Sequence, residues 1–141
     1  RLPIRLEIIS LHPLIVLDGA HSPDTMATTI DGIKRFKPGA RVHLIAGFDA
    51  NEDAPSMIRQ LCTLPLTSVM ATRFTNLQLY PKAANPADLA RLFRKLHRGL
   101  PIQPILDPKA ALAVSQRYSR PGDILLVTGS MFLAGEIRSF F

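Results

Sequence analysis

The chain has 141 residues, the size of one domain, and its 47% hydrophobic content is ample for a single buried core. Its 12 prolines and 8 glycines fall short of a low-complexity composition, and no apolar run is long enough for a membrane-spanning helix. The 17 Lys and Arg against 11 Asp and Glu give a formal charge of +6, which suits an anionic partner such as a nucleotide, an acidic polymer or a nucleic acid.

In chain order, Arg5 to Ser10 alternates in polarity like a half-exposed strand, and Leu14 to Asp18 is a short apolar run like a buried one. His12-Pro13 turns between them, so the pair is expected to form an antiparallel hairpin at a sheet edge. Ser22-Pro23 then starts a helix with a serine cap and a proline in the first turn, and Met26, Ile30 and Ile33 fall on its inner face. Asp24 adds negative charge at the positive end of that helix. Val42 to Ala46 reads as a buried strand, Met57, Ile58, Leu61 and Cys62 as a shorter helix, and Ser68 to Thr72 as another buried strand.

Asn85 caps a helix opened by Pro86, with Leu89, Leu92, Phe93 and Leu96 as its buried stripe. Gln103 to Leu106 is the next strand, and Pro108 opens a helix that carries Ala111, Val114 and Tyr118 inward. Ile124 to Thr128 is the last strand, followed by a helix marked by Leu133, Ile137 and Phe140. Strands alternating with helices define an α/β domain with a mostly parallel sheet. No repeat or long linker divides residues 1–141.

The single cysteine, Cys62, cannot close an intramolecular disulfide, so nothing asks for an oxidising compartment and a cytoplasmic location is expected. The chain opens at Arg1, directly before strand-like sequence and without a start methionine or signal-peptide pattern, and is expected to be a piece of something longer. The densest basic stretch, Arg91, Arg94, Lys95 and Arg98, lies opposite the apolar stripe of its helix and reads as a solvated outer face. Nucleic-acid binding would add interleaved aromatics or a reading motif, and the chain has 6% aromatics and no such motif.

Ligands of open α/β sheets collect beyond the carboxyl ends of the parallel strands. Three such ends are polar or glycine-rich: Asp18-Gly19-Ala20-His21-Ser22-Pro23, Gly47-Phe48-Asp49 and Thr128-Gly129-Ser130. The first places a carboxylate, a tight-turning glycine, a titratable ring and free helix N–H groups in one small volume. Such a corner suits a ribose hydroxyl at Asp18 and an anionic group near His21. On spacing alone, simple capping by Asp18 and Ser22 with a satisfied His21 has the better odds. Thr128-Gly129-Ser130 offers a hydroxyl and N–H groups to a carboxylate or phosphate, and equally serves as turn and cap. Asp49, Asn51, Glu52 and Asp53 form an acidic loop of the ordinary kind that precedes helices.

No phosphate loop, zinc-type Cys/His cluster or nucleophile elbow occurs, so neither unaided ATP hydrolysis nor a self-contained hydrolase or metalloenzyme finds support.

The stretch Arg5-Leu6-Glu7, followed by Leu14 through Asp18-Gly19-Ala20-His21-Ser22-Pro23, resembles the opening of the C-terminal domain of folylpolyglutamate and dihydrofolate synthases, in the Mur ligase superfamily. Asp123 to Phe132 resembles its closing strand and helix. Thr72 and Pro81-Lys82-Ala83 fall where the family has a Thr-Arg strand end and a Pro-Arg-Ala stretch. The resemblance implies a Rossmann-like, three-layer domain that closes over a central ATPase domain holding the phosphate loop.

It further implies a reaction in which ATP, with Mg2+ held mainly by the central domain, activates a folate or pteroate carboxylate for attack by L-glutamate. Asp18 would accept from the ribose, Arg5 would stand near the phosphates, and His21 and Ser130 would orient glutamate and the reacting centre. Lys82 is a further candidate, matched to an arginine. Position 22 is Ser where the family has Asn, which keeps the cap, and Asp49 to Asp53 replaces an Asp-Lys-Asp segment, so no lysine contact is carried onto that loop. Two alternatives stay open: a ligase for cell-wall precursors, whose related corner has a hydroxylated residue at the position of Ser22, and a free-standing basic module that binds nucleotides or anions.

Overall fold

The computed structural model describes residues 4–75 and 82–141. Six strands form one sheet: β1 (Glu7–Leu11), β2 (Leu14–Leu17), β3 (Val42–Ala46), β4 (Leu66–Ala71), β5 (Ile102–Pro104) and β6 (Ile124–Thr128). Their order across the sheet is β1-β2-β6-β3-β4-β5. Only β1 runs antiparallel, pairing with β2 through the cis His12-Pro13 turn, and the other neighbours are parallel. The expected edge hairpin and mostly parallel sheet are therefore both present.

β3 and β6 are buried along their whole length, as the continuous apolar runs of a parallel sheet covered on both faces require. Alternate side chains feed two cores. Val16, Leu44, Ala46, Val69 and Leu126 pack under α1 (Pro23–Phe36), α2 (Ala54–Leu61) and α3 (Pro86–Leu96). Ile15, Leu17, Ile45, Met70, Leu125 and Val127 pack under α4 (Pro108–Tyr118) and α5 (Met131–Arg138). The result is a helix–sheet–helix sandwich of three layers.

Polar side chains start the helices where the sequence places them. Ser22 forms a reciprocal capping box with Thr25, and the side-chain Oδ1 atoms of Asn85 and Asp107 accept from the N–H groups of Ala87 and Lys109.

Three expectations need correction. The first strand begins at Glu7 rather than Arg5, because Leu6 has φ +40, in the left-handed region, which breaks an extended run. The fifth strand is Ile102–Pro104 rather than Gln103 to Leu106; Pro104 has no N–H to extend the ladder, and Leu106 is exposed. Leu96 and Tyr118 do not complete buried stripes: each is the last residue of its helix, with no following turn to help cover it, and both are exposed. Leu112 and Ser115 join Ala111 on the buried face of α4. The basic residues Arg91, Arg94, Lys95 and Arg98 are all exposed, as expected of an outer face.

Candidate functional site

The carboxyl ends of β2, β6, β3 and β4 meet on one edge of the sheet. Asp18 continues the β2 ladder by donating its N–H to Val127 O at 2.9 Å. Its side chain is 3% exposed and heavily used. Oδ1 accepts from Ala20 N at 2.8 Å and from the Thr29 hydroxyl at 2.6 Å, while Oδ2 accepts from Leu6 N at 3.0 Å. The capping expectation and the ligand expectation thus meet in one group: Asp18 organises the turn, and Oδ2 still has one open acceptor direction.

Gly19 lets two other segments close in. Its N–H donates to Ile4 O at 2.8 Å, and a Cβ at this position would lie 2.8 Å from Met131 Cγ. His21 is exposed at the start of the α1 turn. Its Nδ1 lies 3.1 Å from Gly19 O, and because a carbonyl only accepts, Nδ1 carries the proton and Nε2 of the neutral ring is an acceptor.

A cavity of about 310 Å³ opens here, lined by Arg5, Asp18, His21, Thr29 and Met131 among others. The structure therefore brings three of the five expected residues, Arg5, Asp18 and His21, to the lining of one cavity. Ser130 is the neighbour of Met131 and caps α5, its Oγ accepting from Phe132 N at 3.1 Å and Leu133 N at 3.5 Å. Both bonds use acceptor lone pairs, so the hydroxyl proton can be donated elsewhere.

Lys82 does not line this cavity. It is exposed on the segment that pairs with the loop after β3, where its carbonyl accepts from Ala50 N at 2.8 Å and Ala83 bridges to Asp49. Pro81, from the same stretch, lies outside the described residues.

The three strand ends approach through backbone. Gly129 has φ +109, and a Cβ there would lie 2.5 Å from Gly47 O and 2.9 Å from the Phe48 ring. A Cβ on Gly47 would in turn lie 2.9 Å from Thr72 O. Glycine is required at both positions by close packing, and at Gly129 by conformation as well.

In the acidic loop, Asp49 accepts from Asn51 N at 2.9 Å and Asp53 caps α2 through Ser56 N at 3.2 Å. The Ser56 hydrogen bonds hold the Asp53 carboxyl below its usual value, against slight desolvation and with help from Arg59. Among the described residues no group of three or more His, Cys, Asp or Glu could hold a metal ion.

Sequence reasoning missed Thr29, Leu6 and Glu136. Thr29 is eleven positions from Asp18, so no local spacing announces the pair. Glu136 on α5 is buried and accepts from Thr75 N at 2.6 Å and the Thr75 hydroxyl at 2.5 Å, which ties the segment after β4 to the helix headed by Ser130. A carboxylate flanked by the apolar residues Leu133, Ala134 and Ile137 was the available signal.

Helix, sheet and helix layers with a polar, glycine-lined corner beyond the parallel strands define an open α/β domain, of the kind whose ligands collect at this edge. The chain belongs to the family of the Mur ligase glutamate ligase domain, which it matches over residues 4–131. It is 33% identical over 137 residues to a folylpolyglutamate synthase of Lacticaseibacillus casei, covering 96% of this chain and 29% of that protein.

Its fold is that of a Mycobacterium tuberculosis folylpolyglutamate synthase solved with ADP and AMPPCP, with TM-score 0.86, 18% identity and coverage of 99% of this chain and 32% of that one. It also superimposes, with TM-score 0.79 and 17% identity, on a bifunctional folylpolyglutamate synthase/dihydrofolate synthase of Yersinia pestis solved with AMPPNP and a Mn ion, covering 99% of this chain and 31% of that one. The chain thus spans under a third of the length of these relatives.

Proposed function

We propose that residues 1–141 form the C-terminal domain of a longer ATP-dependent ligase that joins L-glutamate to a folate or pteroate carboxylate. The observation that carries this reading is the convergence of Arg5, Asp18 and His21 on one cavity at the end of β2, in a chain whose fold is shared by synthases solved with ADP, AMPPCP or AMPPNP.

The residues fit a nucleotide by their own chemistry. Asp18 Oδ2 has an open acceptor direction for a ribose hydroxyl, and the exposed Arg5 supplies a cation for phosphate oxygens. ATP supplies the activation of the acceptor carboxylate. Magnesium is assigned mainly to the central ATPase domain expected in the same polypeptide, and the described residues here hold no cluster of three or more His, Cys, Asp or Glu. In this reading His21 Nε2 and the Ser130 hydroxyl proton hold the amino and carboxylate groups of incoming glutamate, supported by the acceptor left on His21 and the uncommitted proton of Ser130. Lys82 stands on a separate segment and reaches the reaction only when the two domains close. The cytoplasm is the proposed compartment, and neither nucleic acid nor membrane is a proposed partner.

The test uses the full-length protein that carries this chain. His21→Ala and Ser130→Ala are expected to lower ATP-dependent glutamate addition at least about a hundredfold, the loss typical of misplacing reacting groups. Near-normal turnover in both variants removes them from the site. Parallel assays with folate and muropeptide acceptors decide between the folate ligase and the cell-wall ligase, and an intact mass near 15.5 kDa for the native protein would leave only a binding module.

A further inference from the structure

We propose that Thr29 is a positioning residue of the cavity, locking the Asp18 carboxylate so that it both accepts a ligand hydroxyl and clamps the segment that bears Arg5. The proposal rests on the reading of this cavity as a nucleotide site.

Thr29 lies on α1, is 4% exposed and lines the cavity. Its hydroxyl has one proton and two acceptors in reach, Asp18 Oδ1 at 2.6 Å and Thr25 O at 3.1 Å. The shorter contact to the charged oxygen takes the proton, since charge-assisted hydrogen bonds are the stronger kind. With Ala20 N also on Oδ1, that oxygen has no acceptor direction left. The carboxylate is therefore fixed about its last torsion, and Oδ2 is the oxygen left facing Leu6 N with capacity to spare.

Leu6 shows what that orientation achieves. Its φ of +40 is rare for a side chain of this size and persists only where the surroundings impose it. Three contacts do so: Leu6 N donates to Asp18, Ile4 O accepts from Gly19 N, and Leu6 Cδ1 sits on α1 only 2.4 Å from where a Cβ on Gly32 would be. Arg5 is the residue between these anchors, with its side chain exposed at the cavity. A chain of contacts thus runs from the Thr29 hydroxyl through Asp18 to Leu6 and Arg5.

Thr29→Val removes the hydroxyl at nearly constant shape, and Thr29→Ser keeps it. In the full-length protein, glutamate addition is measured against ATP concentration for both variants, with thermal melting in parallel. Thr29→Val is expected to raise KM for ATP about tenfold while kcat stays within about twofold, and Thr29→Ser to stay within about twofold of wild type in both. A merely structural role would lower the melting temperature and leave KM unchanged, and that result overturns the proposal. If Thr29→Val does not fold, Thr29→Ser decides: a KM shift of about tenfold with the hydroxyl retained also overturns it. A wild-type protein without ATP-dependent glutamate addition overturns the functional reading and this proposal with it, whereas a competent wild type beside an unchanged Thr29→Val overturns this proposal alone.

Discussion

Replacing His43 with leucine tests the polar bridge buried at the opposite end of the sheet from the site. His43 is 0% exposed on β3, with Nδ1 2.8 Å from the Ser68 hydroxyl on β4 and Nε2 2.7 Å from Asp123 Oδ2, just before β6. A carboxylate only accepts, so Nε2 carries a proton, and the Ser68 hydroxyl serves Nδ1 as donor or acceptor. One ring therefore links three strands.

Burial pushes the Asp123 carboxyl up, but the His43 hydrogen bond, the Arg120 N–H and the charges of His43 and Arg41 outweigh it and hold the group below its usual value. A depressed carboxylate contributes stability that is present above its unfolded value of 3.8 and lost as pH falls through the lower folded value. His43→Leu removes the strongest opposing contact and leaves the burial.

Breaking a buried pair from one side costs about 3–5 kcal/mol. The Arg120 N–H remains on Asp123 at 3.0 Å, which places this case near the lower end. At about 2–4 °C per kcal/mol for a chain near this size, the melting temperature at pH 7 should fall by about 6–12 °C.

The sign with pH is specific. Protonating Asp123 relieves the variant but harms the wild type, so the gap between them should narrow below about pH 4. Adding Asp123→Asn, which keeps an acceptor for Arg120 without the charge, should recover part of the loss. Circular-dichroism melts of the three proteins at pH 7 and pH 3.5 make the measurement. A variant within about 2 °C of wild type at pH 7, or a gap that does not change with pH, would refute this account of the bridge.

Gly129→Ala should destabilise the chain by about 3 kcal/mol or more, because the new Cβ meets backbone at 2.5 Å in a left-handed conformation, while Gly122→Ala, with φ +94 but open space, should cost only about 1–2 kcal/mol. Equal losses in denaturant titrations would show that the contact with Gly47 is immaterial. Burial pushes the half-buried Cys62 thiol up, so its reaction with an aromatic disulfide reagent at pH 7.5 should be about tenfold slower than that of free cysteine, and an equal rate would contradict the burial.

Periodicity located the interior of the sheet well because β3 and β6 are covered on both faces, which forces uninterrupted apolar runs. At the edges the same rule loses its grip. Leu6 breaks the first strand through a tertiary contact with Asp18, and no composition rule reports a left-handed leucine. The candidate site was legible as a motif because Asp18 through Pro23 is contiguous. What those residues touch was not: Thr29 reaches Asp18 from α1, and neither Lys82 nor Ser130 lines the cavity. His43 within an apolar strand, with Ser68 on the next one, was a readable sign of a buried polar bridge, but Asp123 completes it from eighty positions away.

The position of β6 constrains how this protein can be made. It is the last strand in the chain, yet it lies between β2 and β3, pairing with Leu14–Leu17 on one side and Val42–Ala46 on the other. A nascent chain that stops short of Ile124 can form the β1–β2 hairpin and the β3–β4–β5 block, but these two pieces share no strand pairing. Two inner edges then stand open until the final segment emerges, so closure of the sheet waits on the end of synthesis of this domain. The ligand corner draws on the first piece, with α1, and on Met131 at the β6–α5 junction. A polypeptide that stops before Met131 would lack that side of the cavity and the strand that joins its two sheet pieces, so ligand binding would report on whether the chain had been made through this junction.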